Sequence, residues 1–168
     1  MRVSTVIEDS IVDGPGLRLA VFTQGCMHCC DSCHNPATHD RHGGYEVEPN
    51  KLVAMVARNP LCDGVTLTGG EPFLQAAECA VVASGVKALG KTVWTYSGYT
   101  YEELTEQSAY IYNNEWQTLL NYSDVLVDGP FVVSKRSLTL LWRGSENQRI
   151  IPLKNGKWSV DNGSETDI

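Results

Sequence analysis

At 168 residues, with 42% hydrophobic and 20% charged residues, the chain fits one globular domain able to bury a core, and disorder is excluded as its default state. A formal charge of −7 argues against a nonspecific grip on nucleic acid, which needs a basic face. No apolar run approaches the roughly 20 residues of a membrane span, and Glu8 and Asp9 stand where a signal peptide needs apolar residues, so a cytoplasmic protein with no membrane contact is expected.

In chain order, LRLAVFT (17–23) reads as a strand running straight into Gly25 and Cys26. Leu52, Val53, Val56 and Ala57 have helical spacing over 50–58, with Asn50 placed as a cap and Pro60 as a stop. GVTLT (64–68) is a short strand ending at Gly69 and Gly70, and 75–89 is a helix closed by Gly90. TVWTY (92–96) is the next strand; Thr100 and Glu103 form a capping box opening YEELTEQ (101–107). A helix over 115–122 and strands over 124–128 and 149–153 follow, and the polar end DNGSETDI (161–168) reads as a loose tail.

This alternation predicts an α/β fold with a mainly parallel sheet and helices outside it, over 1–155, followed by a C-terminal tail at 156–168. A closed eightfold barrel typically needs about 250 residues, so the expectation is an open, partial (β/α) barrel. Ligands of such sheets gather at the C-terminal ends of the strands, where every motif described next falls.

Four of the six cysteines, Cys26, Cys29, Cys30 and Cys33, lie within eight residues, a distribution that suits a metal site better than a disulfide framework. Cys26-x3-Cys30-x2-Cys33 offers three thiolates to an iron-sulfur cluster, one fewer than a simple electron-transfer cluster uses, leaving an iron open to a ligand. By spacing alone Cys26-x2-Cys29-x3-Cys33 is equally plausible. Structural zinc, with nitrogens from His34, His39 or His42, is the competing reading and makes the chain a non-enzymatic module. Cys62 and Cys79 read as small buried hydrophobes, Trp94 and Tyr96 as core aromatics, and His28 as a loop histidine flanking the ligands.

IVDGPGLRLAVFTQGC, the spaced cysteines and CHNP together resemble the opening of radical S-adenosylmethionine (SAM) activases of glycyl-radical enzymes. That family's CxxxCxΦC pattern usually has an aromatic residue at Φ; here Ser32 stands there, which is similar to the activating proteins of anaerobic ribonucleoside-triphosphate reductases. LTGGEP (67–72), VWTYSGYTYEEL (93–104), DVLVDGPF (124–131) and LWRGSENQRII (141–151) resemble successive blocks of the same family, so the likeness covers most of residues 6–153. It implies a radical SAM fold and a [4Fe-4S] cluster on Cys26, Cys30 and Cys33, with SAM completing the open iron. Gly69, Gly70 and Glu71 are implied to meet the amino group of SAM. Ser32, Cys33 and, by following Cys33, His34 are further candidates in the loop, while Ser97 and Asp128, at predicted strand ends, read either as SAM-ribose contacts or as residues that order the site, with a turn cap as the plain reading of Asp128.

The implied reaction is one-electron cleavage of SAM to a 5′-deoxyadenosyl radical, which takes a hydrogen atom from a glycine Cα of the anaerobic ribonucleoside-triphosphate reductase. The implied electron donor is reduced flavodoxin or ferredoxin, and Lys135, Arg136, Arg143 and Arg149 offer a late basic cluster where an acidic donor can dock. An activase of another glycyl-radical enzyme, such as pyruvate formate-lyase, or a radical SAM enzyme acting on a small molecule, shares the two main motifs.

Overall fold

A computed structural model describes residues 1–106 and 113–159; Gln107 at the end of YEELTEQ and the segment 161–168 lie outside the described residues. The strands are β1 (Arg2–Ser10), β2 (Arg18–Thr23), β3 (Tyr45–Glu46), β4 (Gly64–Gly69), β5 (Thr92–Tyr96), β6 (Val125–Asp128), β7 (Arg149–Lys154) and β8 (Lys157–Trp158). They form one open sheet in the order β3-β1-β2-β4-β5-β6-β7-β8. The helices are α1 (Pro49–Arg58), α2 (Ala76–Ala88), α3 (Tyr101–Thr105) and α4 (Asn114–Tyr122).

The sheet is parallel only at its centre. β2, β4, β5 and β6 run parallel, whereas β1 is antiparallel to β2 and β7 to β6. The reason lies in the connections. A parallel return needs a crossover element, which α1, α2 and the α3/α4 pair supply between central strands. Between β6 and β7 the described chain holds no helix longer than a 3-10 turn at Val133–Lys135, so RIIPL comes back antiparallel.

Alternation along the central strands sorts two faces. Leu19, Val21, Val65, Leu67, Val93 and Leu126 point into one core, where they meet Leu52 and Val56 of α1, Val82 and Val86 of α2, and Leu119 and Leu120 of α4. Cys62 and Cys79 are buried in it, as read from the sequence, and burial raises the Cys79 thiol pKa. The other face holds a smaller cluster, Trp94, Val125 and Val127, with Tyr96, Trp142 and Ile150 packed on it.

The helix starts follow local chemistry. α1 begins one residue before the predicted cap: Glu48 is the N-cap and Pro49 fills the first turn, its fixed φ preset for a helix. Asn50 is therefore inside the helix. The capping box at α3 is present, with Glu103 N donating to Thr100 Oγ1 at 3.3 Å and Thr100 N to Glu103 Oε2 at 2.7 Å. Gly90, at φ +73°, closes α2. Asn155 and Gly156, both at positive φ, turn β7 into β8. The sheet thus continues through Trp158, whose ring lies 5.2 Å from the Arg149 guanidinium.

Arg18, not singled out in the sequence, is 1% exposed on the face opposite the helices. It donates five hydrogen bonds to neutral oxygens: Thr66 Oγ1 (2.8 Å), Val65 O (2.8 Å), Thr92 Oγ1 (3.0 Å), Pro15 O (3.2 Å) and Thr92 O (3.3 Å). Burial lowers its pKa to about 10, so it stays charged at neutral pH and ties β2, β4 and β5 together at their N-terminal ends. The opposite ends of the same strands carry the site. Among the described residues no helix is long and apolar enough to cross a membrane.

Candidate iron-sulfur centre

β2 ends in a loop that folds back on its own base. The buried Gln24 donates to Ala37 O (2.9 Å) and Asp40 O (2.6 Å), and Gly25 N donates to Thr38 O at 2.8 Å. Within the loop, Cys29 (φ 47°) and Ser32 (φ 56°) occupy the left-handed region, rare for residues with a side chain. These two bends turn Cys26, Cys30 and Cys33 toward one cavity and leave Cys29 exposed and off its wall. Spacing left Cys29 and Cys30 interchangeable; the backbone separates them.

The cavity measures about 250 Å³, several times the roughly 30 Å³ share of one water molecule. Phe22, Thr68 and Tyr96 contribute side chains from the sheet face opposite the helices, and Gly69 and Gly70 form another wall. The 129–148 segment covers part of it. Gln148 accepts from Gly144 N (2.8 Å) and donates to Gly129 O (3.1 Å), Tyr96 Oη donates to Trp142 O (2.7 Å), and Phe131 lies 4.8 Å from the His34 ring.

The glycine turn is joined to the cysteine loop by backbone. Gly70 N donates to Thr23 O (2.9 Å) and Glu71 N to Gly25 O (2.8 Å). A Cβ on Gly69 would stand 2.6 Å from Phe22 Cα, and one on Gly70 2.4 Å from Gly25 O. Glycine is therefore demanded here by the neighbouring strand end, as well as leaving the cavity wall open.

Of the residues expected at the site, Cys26, Cys30, Cys33, His34, Gly69, Gly70 and Ser97 line the cavity. Ser32 is exposed and off its wall, its hydroxyl near Asp31 Oδ1. Glu71 is fully buried and also off the wall. Its carboxylate accepts from His28 Nε2 (2.7 Å), Gly98 N (2.9 Å), Phe73 N (3.0 Å) and Ser97 Oγ (3.0 Å). Asp128, fully buried, accepts from Tyr101 N at 2.7 Å and from the guanidinium of Arg149, which also pairs with Glu102. Both acidic side chains are thus engaged by protein donors. His28, Gly98, Phe131, Gly144 and Gln148 are positions that sequence reasoning did not assign; the last three fall in the late sequence blocks, whereas His28 meets Glu71 across 43 residues and has no local signature.

The donor set fits an iron-sulfur cluster with three protein ligands. All three cavity cysteines are free, and burial first of all pushes the Cys26 thiol up to about 11. A thiolate there needs a cation, which a metal centre supplies. Among the described residues no three His, Cys, Asp or Glu side chains are drawn together as tightly as a single bound ion requires.

These features define a class, a single-cluster iron-sulfur protein on an open α/β sheet, and residues 12–151 match the family described as 4Fe-4S single cluster domain. Three relatives named anaerobic ribonucleoside-triphosphate reductase-activating protein narrow it. That of Enterobacteria phage T4 is 30% identical over 167 residues, covering 96% of this chain and 100% of the relative. That of Vibrio cholerae is 35% identical (83% and 90% covered) and that of Escherichia coli K12 31% identical (86% and 94% covered). The chain belongs to the family of anaerobic ribonucleoside-triphosphate reductase-activating proteins.

Proposed function

We propose that the chain is an activating enzyme that uses a [4Fe-4S] cluster on Cys26, Cys30 and Cys33, together with SAM, to install a glycyl radical on an anaerobic ribonucleoside-triphosphate reductase. The observation that carries this reading is the sorting of the loop: three free cysteines line one cavity with Gly69 and Gly70, and the fourth stays outside. Cys26, Cys30 and Cys33 would hold the cluster, which in its reduced state would supply one electron for cleavage of SAM to methionine and a 5′-deoxyadenosyl radical able to take hydrogen from a glycine Cα.

The chain's part is to hold and orient. The cysteine loop offers three thiolates, and no fourth cysteine lines the cavity. An ammonium group needs acceptors, and the amides of Gly70 and Glu71 are already committed to Thr23 and Gly25. The carbonyl groups of the glycine turn are therefore what suits the amino group of SAM. An open sheet with α1, α2 and α4 packed on one face and the cavity on the other supports a partial (β/α) barrel of the radical SAM type. Its open side suits a loop of a macromolecular substrate.

The test is anoxic reconstitution with SAM, reductant and the reductase, followed by electron paramagnetic resonance. A glycyl radical on the reductase is the expected result. A colourless protein with stoichiometric zinc ends the reading.

The electron donor is proposed to be reduced flavodoxin or ferredoxin. Arg149 is held by Asp128 and Glu102, and Arg143 donates to Gln148 O, so the basic cluster read from the sequence narrows to the exposed Lys135 and Arg136. Changing both to alanine should slow reduction by flavodoxin severalfold at low salt and flatten its ionic-strength dependence. Stopped-flow reduction across a salt series checks this; an unchanged rate and slope removes these residues from donor docking.

A further inference from the structure

We propose that His28 is a positioning residue that fixes the cysteine loop against the glycine turn, and that Glu71 serves the site through His28 and not by touching SAM. The inference deepens the proposed function and rests on it. Among the described residues, the hydrogen bond from His28 Nε2 to Glu71 Oε2 is the one that ties residues 27–33 to the sheet. Within 26–33 the backbone bonds Cys26 N to His39 O and Cys33 N to Cys30 O stay inside the loop, and the backbone tie from Glu71 N to Gly25 O holds only its base. The far end of the bond is rigid. Glu71 is 0% exposed and held by Phe73 N, Gly98 N and Ser97 Oγ, from the turn after β4 and the end of β5.

The His28 ring is confined as well. It packs edge-on against Tyr99 with centroids 4.4 Å apart, and it lies so close to Gly98 that a Cβ there would stand 2.4 Å from His28 Cδ2. Gly98 lacks a side chain where the ring passes, and its own amide shares the oxygen that His28 holds. A loop carrying three ligands and a turn meeting the amino group of SAM must keep a fixed separation if one bound molecule is to reach both. Partners of this outer kind typically change affinity or activity by about 10–100-fold when removed.

Two perturbations reach the same bond from opposite sides. His28→Ala deletes the donor; Gly98→Ala leaves every polar group in place and pushes the ring off Glu71. The readouts are iron per chain, the SAM concentration that half-converts the electron paramagnetic resonance signal of the reduced cluster, and amide hydrogen exchange of residues 26–33 in the metal-free protein. Each single variant should keep most of its iron, need about 10-fold or more additional SAM, and exchange faster in the loop. In the His28→Ala background, Gly98→Ala should add little, because both act through one contact. His28→Gln, whose amide can still donate to the carboxylate, should restore SAM affinity to within a few-fold.

Full additivity of the two changes, a His28→Gln protein as impaired as His28→Ala, or wild-type SAM affinity and loop exchange in His28→Ala each overturns the proposal. Should His28→Ala fail to fold, Gly98→Ala and His28→Gln still decide it. The wild-type protein reports separately on the underlying function through its own iron content and SAM response, whereas loop exchange in the metal-free protein reports on the strap alone.

Discussion

Replacing Cys26, Cys30 or Cys33 singly with alanine should reduce the anoxically reconstituted protein from about four irons per chain to a small fraction and take SAM cleavage to background. Cys29→Ala should keep both. With three protein thiolates holding the centre, losing one leaves two, too few to retain a cluster against competition from solvent and free thiols. Cys29 is exposed and off the cavity wall, which is why it stands outside the proposed set. Cys62→Ala and Cys79→Ala belong in the same series as controls, since both thiols sit in the core on the helix-covered face. Iron and sulfide analysis together with deoxyadenosine release read the result. An iron-loaded Cys30→Ala beside an iron-free Cys29→Ala reverses the ligand assignment.

The centre of the fold was legible because parallel strands buried on both faces appear as short apolar runs. GVTLT, TVWTY and DVLVD each end in a glycine or polar turn, and each strand lies within a residue or so of its predicted bounds. The flanks were not legible. β1 buries only Val3 and Ser10, and its two register shifts break the alternation that marks a strand. RIIPL was visible as a strand, but its direction depends on what the 129–148 connection lacks, a crossover helix among the described residues.

At the site, cysteine spacing left a count and an ambiguity; in the structure Cys30 lines the cavity and Cys29, at positive φ, does not. For Glu71, only the family resemblance implied a ligand contact. Its four donors, three of them supplied by residues 26 to 43 positions away, could not be read from local pattern. Arg18 shows the same limit: its oxygen acceptors on β4 and β5 are neighbours only once the sheet is built.

Glu71→Leu should be the most destabilising single change near the site, lowering unfolding free energy by about 4 kcal/mol. Leucine roughly fills the space, so the cost is not mainly a cavity. It comes from buried donors that lose their acceptor. Ser97 Oγ and the His28 ring can turn toward other partners, but Phe73 N and Gly98 N are backbone amides fixed by the 3-10 turn and by the end of β5. Two orphaned amides at about 1–3 kcal/mol each, with the charge-assisted bonds lost alongside them, set the magnitude. In a chain of this length that corresponds to a melting temperature lower by roughly 8–16 °C. Glu71→Gln keeps one carbonyl oxygen, an acceptor for one of the two amides, since Phe73 N and Gly98 N bond different carboxylate oxygens, and should cost about half as much. Denaturant unfolding of the metal-free proteins separates this effect from cluster loss. A Glu71→Leu protein within about 1 kcal/mol of wild type would mean that the amides find other acceptors, and that the carboxylate is not what holds the turn closed.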